Sequence, residues 1–262
     1  MPNDKTAPHP SGGYLNITFQ ELGHLYTDSF GNEYTSSTEL VHSAFEPFDA
    51  EKTAAAKSAR TGVPAQQYIQ EWNRNRDDAS SAGTRLHENC ERQILGRFPE
   101  MHRPADDAER LEFRAAWNEV EKIKSAGFLS LEPEKLIFSP RFRVAGSIDL
   151  LVKKAPAHYL ILDWKRVKAI KYSGFRNRTG THPATMHLQD CNFIHYSLQL
   201  SIYEQILRLE RYIEPFAKVE KWLNVYRPGG TFDHVQCADL PYESLLLMSF
   251  NSTAPNLEFI PF

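Results

Sequence analysis

The sequence predicts an α/β domain with a layer of helices in its N-terminal half. Apolar side chains recur at helical spacing over residues 36–125. Near residue 127 the pattern changes to three short segments rich in β-branched and aromatic residues, with turn residues between them. Helical spacing returns over residues 193–212. Helices followed by a small sheet, with a further helix laid on that sheet, are typical of this class.

Local signals place the individual elements. The Gly31-Asn32 pair predicts a hairpin turn, and Ser36 or Ser37 is suited to cap the first helix. Amphipathic helices joined by polar segments are expected at 51–60, 64–75, 80–97 and 106–125, and later helices at 193–212 and 241–250. Strands are expected at 134–140, 142–152, 158–164, 219–227 and 231–237.

The 262 residues suit one domain, because no linker after the first dozen residues is long enough to mark a boundary. Residues 1–13 are rich in proline and glycine and are expected to be disordered. We therefore expect a single domain over 14–262, with the helical layer at 36–125 and the core at 126–262.

Composition excludes several classes of protein. A net charge of −3 excludes a chain that is basic over its whole surface, although a local basic patch remains possible. The three cysteines, Cys90, Cys191 and Cys237, are odd in number and far apart, which argues against a disulfide framework and a cysteine-ligated metal centre. No apolar run approaches the roughly 18 residues of a membrane span, and the first residues lack the apolar segment of a signal peptide. A cytoplasmic protein without membrane contact is expected.

Two carboxylates and a lysine mark the ends of two predicted strands. Asp163 and Lys165 are two residues apart, so they project from one face of their strand, and Trp164 projects from the other. A hairpin would bring Asp149 beside Asp163. A divalent cation between the two carboxylates would remove their repulsion. A neighbouring lysine could orient or deprotonate a water and stabilise negative charge, which suits cleavage of a phosphodiester.

Residues on two helices could complete such a site. His87 is a plausible nitrogen ligand, and Glu91 lies one turn further along the same helix face. Gln199 and Tyr203 are four apart and share a face, where an amide and a hydroxyl or ring could hold a phosphate or stack on a base. The alternatives are a partly buried polar His87, a solvated Gln199 and core packing for Tyr203.

A basic window follows the predicted catalytic strand. Residues 164–189 contain no acidic residue and six basic ones: Lys165, Arg166, Lys168, Lys171, Arg176 and Arg178. Tyr172 and Phe175 are interleaved with them. Such a window indicates contact with a polyanion, and Gly174, Gly180 and Pro183 predict a loop rather than a helix. The alternative is a flexible solvated loop.

Four short segments have a recognisable order and spacing when they are taken together. They are Gly83-Thr84…His87, Gly146-Ser147-Ile148-Asp149, Asp163-Trp164-Lys165 and Gln199…Tyr203. Over roughly residues 30–227 the chain resembles the PD-(D/E)XK nuclease superfamily, and most of all its RecB-like exonuclease branch, which includes stand-alone nucleases of bacteriophages. The resemblance implies a restriction-endonuclease-like core, a small mixed sheet flanked by helices.

The resemblance also implies roles for individual residues. Metal ligands are expected at His87, Asp149, Asp163 and the backbone carbonyl of Trp164, the catalytic lysine at Lys165, and DNA contacts at Gln199 and Tyr203. Independently of the resemblance, the charge of the basic window predicts further DNA contacts at Lys168, Lys171, Arg176 and Arg178. Glu134 resembles an acidic residue often found before the first strand, and its role, like that of Glu91, stays open. The implied cofactor is one or two Mg²⁺ or Mn²⁺ ions. The chain lacks the cysteines of the iron–sulfur cluster found in many relatives and has no ATP-binding Gly-x-x-x-x-Gly-Lys-Ser/Thr motif.

The expected function is therefore a Mg²⁺- or Mn²⁺-dependent deoxyribonuclease of the exonuclease type, acting on DNA ends or single strands. It would serve recombination, repair or phage DNA processing in the cytoplasm of a bacterium or a phage-infected host. Expected partners are linear or single-stranded DNA and a separate helicase, recombinase or single-strand-binding protein. Two alternatives stay open. One is a nucleic-acid-binding module without catalysis, and the other is a sequence- or structure-specific endonuclease, which would need an element that reads base edges.

Overall fold

The computed structural model describes residues 4–251, which form nine strands and six α-helices. The strands are β1 (Lys5–Pro8), β2 (Asn16–Gln20), β3 (Leu25–Asp28), β4 (Glu33–Ser36), β5 (Ser130–Ser139), β6 (Val144–Ala155), β7 (His158–Lys165), β8 (Lys218–Arg227) and β9 (Thr231–Gln236). The helices are α1 (Ser37–Ser43), α2 (Ala50–Thr61), α3 (Ala65–Ile94), α4 (Asp107–Ser125), α5 (Asn192–Leu209) and α6 (Pro241–Asn251).

The strands of the described range join one mixed sheet. Its order is β1-β2-β3-β4-β6-β7-β8-β9, and β5 pairs with the other edge of β6. The β4–β6 and β7–β8 pairs are parallel and the remaining pairs are antiparallel. The chain is thus an α/β protein with a mixed sheet, but the prediction of a small sheet is wrong, because four short strands ahead of the first helix extend it.

The expected disorder over residues 1–13 is also wrong for most of that segment. Residues 5–8 form β1 and pair with β2 in antiparallel register. β1 alternates between half-buried and exposed positions and is held mainly by its backbone pairing. Its side chains therefore carry little of the apolar alternation by which a strand is recognised. Residues 1–3 lie outside the described residues.

Strand β6 has a gap along one edge, and this gap positions the candidate site. β5 covers the opposite edge of β6 from residue 144 to residue 153. On the shared edge, β4 pairs with Val144 and Ala145, and β7 begins to pair only at Leu150. Among the described residues, positions 146–149 therefore have no strand partner on that edge, so side chains from both faces of the sheet can meet there.

Helices cover both faces of the sheet. Ile161 packs in a core with residues of α1, α5 and α6, whereas Leu162 and Trp164 pack in a second core with residues of α3 and α4. Because neighbouring residues of a strand point to opposite faces, these two cores lie on opposite sides of the sheet. The predicted helical layer is thus divided between the two faces.

The helix caps agree with the sequence, but one helix is longer than predicted. The Ser36 hydroxyl accepts the backbone N–H of Glu39 at 3.1 Å and caps α1. The stretches predicted as two helices at 64–75 and 80–97 form the single helix α3, because the polar joint between them contains neither proline nor glycine. No helix within residues 4–251 combines the length and apolar character needed to cross a membrane.

Candidate metal centre and active site

A cavity of about 630 Å³ opens at the gap along β6. Its walls come from β1–β3 on one side and from α3 and α5 on the others, and its floor comes from β5, β6 and β7. Eight of the residues singled out in the sequence line it: His87, Glu91, Glu134, Asp149, Asp163, Lys165, Gln199 and Tyr203. We refer to this space as the site cavity. It brings together the helical and strand residues that the sequence predicted to cooperate.

Asp149 stands where β6 and β7 separate. It lies opposite Asp163, one residue beyond the last paired residues of the two strands. The backbone N–H of Trp164 donates to Oδ2 of Asp149 at 2.8 Å. The Asp149 side chain thus accepts a backbone hydrogen bond just beyond the last paired residues of β6 and β7. Burial of Asp149 opposes its ionisation, but the charges of His87 and Lys165 hold its pKa below the usual value.

The imidazole of His87 connects α3 to both strands. Its Nε2 donates to the carbonyl oxygen of Trp164 at 2.9 Å, and its Nδ1 lies 3.3 Å from Oδ2 of Asp149. Burial alone would lower the pKa of His87, but the Asp149 carboxylate raises it to about 9. The ring therefore lies between a carboxylate and a carbonyl, whose oxygens are donors suited to a divalent cation. Three of the predicted metal ligands are thus adjacent.

Glu134 belongs to the same cluster. It lies inside β5, which begins at Ser130 rather than at residue 134 as expected, and it has a left-handed backbone with φ of 48°. Its carboxylate accepts the Ser147 hydroxyl at 2.9 Å. One ligand atom each from Glu134, His87 and Asp149 lie within 4.8 Å of one another. Burial, and then the charge of Asp149, raises the pKa of Glu134 to about 7.

Asp163 and Lys165 form a second unit in the site cavity. The Lys165 Nζ lies 2.7 Å from Oδ2 of Asp163, and no hydrogen bond with regular geometry satisfies this buried oxygen. Burial raises the pKa of Asp163 to about 6. Burial opposes the charge of Lys165, but Asp163 and Asp149 raise its pKa above the usual value. Trp164 packs in the core on the other face, as the strand alternation predicts.

Helix α5 contributes Gln199 and Tyr203 to the cavity wall, and a third residue, Tyr196, packs against Lys165. The ring of Tyr196 lies under the Lys165 ammonium, with 4.8 Å between Nζ and the ring centroid. Tyr196 was not predicted as a site residue, although it precedes Gln199 by three positions and so shares its helix face. The Gln199 amide donates to the Tyr203 hydroxyl at 3.0 Å and to the Thr38 hydroxyl at 3.2 Å.

The expectation that the Tyr203 ring could stack on a base is wrong. The ring is 3% exposed and packs against β6 at Gly146. Base stacking requires an accessible ring face. Core packing, the alternative left open by the sequence, is what the structure has, and the hydroxyl serves to hold Gln199.

Glu91 lines the site cavity but stands apart from the cluster of ligand atoms. Its two carboxylate oxygens each lie 3.0 Å from Nζ of Lys5, a residue of β1. Lys5 also approaches Glu134 at 3.8 Å. Sequence reasoning missed Lys5 because the segment that carries it was expected to be disordered.

The basic window forms a loop, as predicted, but it does not line the site cavity. Lys168, Lys171, Arg176 and Arg178 are all exposed, and none of them belongs to the cavity walls. Arg178 pairs with Glu46 at 3.1 Å. A backbone bridge between residues 179 and 189 holds the loop to itself, and the Asn192 side chain at the start of α5 bonds the backbone of Ala169 and Lys171. These four cations could meet a substrate only outside the cavity.

Comparisons with known proteins find a weak structural similarity and no match by sequence. No family model matches the chain, and no curated protein matches it significantly. A crystal structure of a candidate exonuclease from Eubacterium rectale is similar at 14% sequence identity with a TM-score of 0.38. The match covers 66% of this chain and 64% of that protein, which is less than two thirds of its length. A structural likeness at this level supports no conclusion about function, so any functional proposal must rest on the geometry of the site.

Proposed function

We propose that this protein is a divalent-metal-dependent nuclease of the PD-(D/E)XK type that hydrolyses DNA, acting as an exonuclease on ends or single strands. The observation that carries the proposal is the convergence of His87, Glu134 and Asp149 within 4.8 Å, beside the Asp163–Lys165 pair in one cavity. A nucleic-acid-binding module without catalysis would need neither the carboxylate cluster nor a lysine fixed beside it.

The donor set fits Mg²⁺ or Mn²⁺. Carboxylate and carbonyl oxygens with one imidazole suit hard divalent ions, and the imidazole favours Mn²⁺ more than Mg²⁺. His87, Glu134, Asp149 and the Trp164 carbonyl would hold the ion, and the buried Asp163 carboxylate, which is paired with Lys165, lines the same cavity. When bound, a divalent ion would neutralise charge on the scissile phosphate and make a water more acidic.

The chain's own residues supply the remaining parts of the chemistry. Asp163 holds the Lys165 ammonium in place, and Lys165 can donate to an oxygen of a phosphate that enters the cavity. Gln199 presents an amide that Tyr203 and Thr38 already orient. These fixed donors would position a phosphodiester without reorganisation during the reaction.

The shape of the site favours a strand end or a single strand over an uninterrupted duplex. β1–β3 border the site cavity on one side and α3 and α5 on the others, so a strand end would reach the metal ligands by passing between these elements. The exposed cations of the loop after β7 lie outside the cavity and would contact the backbone of the strand before it enters. DNA is therefore the proposed partner, and a helicase or recombinase would be a separate chain.

A cleavage assay tests the proposal. End-labelled linear DNA and closed circular DNA are incubated with the protein and with Mg²⁺, Mn²⁺ or EDTA. We expect mononucleotide or short products from linear DNA with either metal, intact circles, and no product in EDTA. Asp149→Asn and Asp163→Asn should abolish cleavage, whereas Asp233→Asn, a half-exposed carboxylate on β9, should not.

Other outcomes would overturn or redirect this proposal. Cleavage of closed circles would make the protein an endonuclease. Cleavage by Asp149→Asn at the wild-type rate would show that the site is elsewhere. Metal-independent binding of DNA, without any product from linear or circular substrates, would favour the binding module.

A further inference from the structure

A lysine from the first strand lies inside the cluster of carboxylates. The Lys5 Nζ is 3.0 Å from both oxygens of Glu91 and 3.8 Å from Oε2 of Glu134. The side chains of Glu91 and Glu134 are 17% and 19% exposed, and that of Lys5 is 34% exposed. This is a partly buried contact between one ammonium and two carboxylates, and so it is screened less than a surface ion pair.

The fold fixes Lys5 at this position. Lys5 pairs with Phe19 in the β1–β2 register, which aims its side chain along the wall of the site cavity. Glu91 follows His87 by one turn on the same face of α3. β1 therefore adds a single cation to a cavity where Glu91, Glu134, Asp149 and Asp163 contribute negative charge.

We propose that the Lys5 ammonium takes the place of a second divalent ion, so that Glu91 and Glu134 are neutralised by the chain itself and the centre binds one metal ion. This inference rests on the metal centre of the proposed function. The first ion belongs to His87, Glu134 and Asp149, whose ligand atoms are already within 4.8 Å of one another. Glu91 does not join them, because both of its oxygens face Lys5.

Charge and geometry support this exchange. An ion such as Mg²⁺ bound by Glu91 would sit about 2.0–2.1 Å from its oxygens, in the space that the Lys5 ammonium now occupies. Two cations in that space would repel strongly, so the ammonium excludes the ion. Removing the charge leaves Glu91 and Glu134 facing a common vacant position, and a divalent ion relieves their repulsion.

Counting bound Mn²⁺ on the full chain tests the proposal. Isothermal titration and the electron paramagnetic resonance of free Mn²⁺ should give one ion for the wild type and two for Lys5→Met. The double variant Lys5→Met/Glu91→Gln should return to one ion. Lys154→Met removes a lysine from a lysine–glutamate pair far from the site cavity, at 3.2 Å from Glu220, and should keep one ion.

Thermal unfolding gives a second readout that does not depend on activity. In EDTA, Lys5→Met should melt below the wild type, because two partly buried carboxylates lose their counter-ion, and Glu91→Gln should restore part of the loss. Saturating Mn²⁺ should raise the melting temperature of Lys5→Met more than that of the wild type. Lys5→Gln, which keeps a hydrogen bond to Glu91 without the charge, serves if Lys5→Met does not fold.

The outcomes separate this inference from the proposed function. A single ion in Lys5→Met and Lys5→Gln, at any affinity, overturns the role of Lys5 and leaves the metal centre intact. Two ions in the wild type overturn it as well. A wild type that binds no Mn²⁺ overturns the metal centre and the role of Lys5 together.

Discussion

Replacing Gly146 by alanine probes the contact between β6 and α5 on which the site depends. Gly146 lies in the part of β6 that pairs with β5 on one edge and has no strand partner on the other. Its backbone conformation is one that alanine can adopt, since it is not among the residues with positive φ. An added Cβ would lie 2.5 Å from Cε1 and 3.2 Å from Cζ of Tyr203, and 3.1 Å from Oγ of Ser37. The obstacle is therefore the packing of Tyr203 rather than the backbone.

The expected magnitude follows from these distances. Carbon atoms pack at about 3.5–4.0 Å, so the Tyr203 ring would have to move by about 1 Å. The ring is 3% exposed and cannot swing into solvent. Overpacking of this kind costs about 1–3 kcal/mol. Loss of glycine entropy in the unfolded chain returns about 0.4–1 kcal/mol. Taking the middle of each range, about 2 kcal/mol less about 0.7 kcal/mol, we expect Gly146→Ala to lower the free energy of unfolding by about 1.3 kcal/mol.

Urea unfolding measures this effect, with an unchanged m-value as the condition for comparing the variants. Gly83→Ala is the matched control, because nothing lies within 4 Å of an added Cβ there. Because Gly83 lies in the interior of α3, Gly83→Ala should raise the free energy of unfolding by about 1 kcal/mol. In a Tyr203→Leu background, which lacks Cε1 and Cζ, Gly146→Ala should become neutral or slightly stabilising. A Gly146→Ala protein as stable as the wild type would refute the reasoning.

Two further predictions concern surfaces outside the site cavity. Burial opposes the charge of Glu220, but a histidine and a lysine hold its pKa at about 2 in the folded protein against 4.5 ordinarily. Because the pKa is lower in the folded protein, the ionised Glu220 stabilises the fold at pH 7, and Glu220→Gln should lower the free energy of unfolding by about 1 kcal/mol there. This difference should shrink as the pH falls from 4.5 towards 2, because the wild-type carboxylate becomes protonated. Urea unfolding at pH 7 and pH 3 checks this, and a difference that stays constant contradicts it. Arg176→Ala with Arg178→Ala should reduce the slope of log affinity for single-stranded DNA against log salt by about 0.7–0.9 for each phosphate that is no longer neutralised, with turnover at saturating DNA unchanged. An unchanged slope would place the DNA path away from this loop.

The sequence predicted the central strands and most helices because their side chains carry the periodicity of a buried face. Strands β6 and β7 are bounded by turn residues and bury alternate or continuous apolar side chains. The β3–β4 turn has a glycine where a left-handed backbone is needed, since Gly31 has φ of 81°. Elements whose side chains alone carry the periodicity or the turn signal could therefore be predicted from the sequence.

The N-terminal strands could not be predicted in this way. β1 is four residues long, includes a proline and alternates only between half-buried and exposed positions. Its position comes from backbone pairing with β2, which depends on the rest of the sheet. Lys5 was missed for this reason, although it contacts two carboxylates of the site cavity.

The same limit applies to roles within the site. Asp149, Asp163 and Lys165 were found because strand alternation and hairpin order follow from the chain itself. The pairing of Glu91 with Lys5 depends on how α3 packs against β1, and the burial of Tyr203 depends on how α5 packs against β6. Neither contact lies within one element or between neighbours in the chain. Sequence spacing could therefore identify Glu91 and Tyr203 as candidates, but it could not show whether each contacts metal or substrate or only supports its neighbours.

The position of the site has a cause in the sheet itself. Over residues 146–149 of β6 no strand of the described range supplies hydrogen bonds on one edge, and side chains replace the ladder there. Asp149 accepts a hydrogen bond from the Trp164 N–H, and His87 donates one to the Trp164 carbonyl. The backbone polar groups of β7 at this point are therefore satisfied by two residues that are proposed to bind metal. Gly146 has no side chain, which lets Tyr203 close the gap from the other face. The four segments that looked like separate motifs in the sequence are therefore one connected set of contacts, in which α3 meets β6 and β7, β6 meets β7, and α5 meets β6. A change at any of them should disturb its partner first and the chemistry through it.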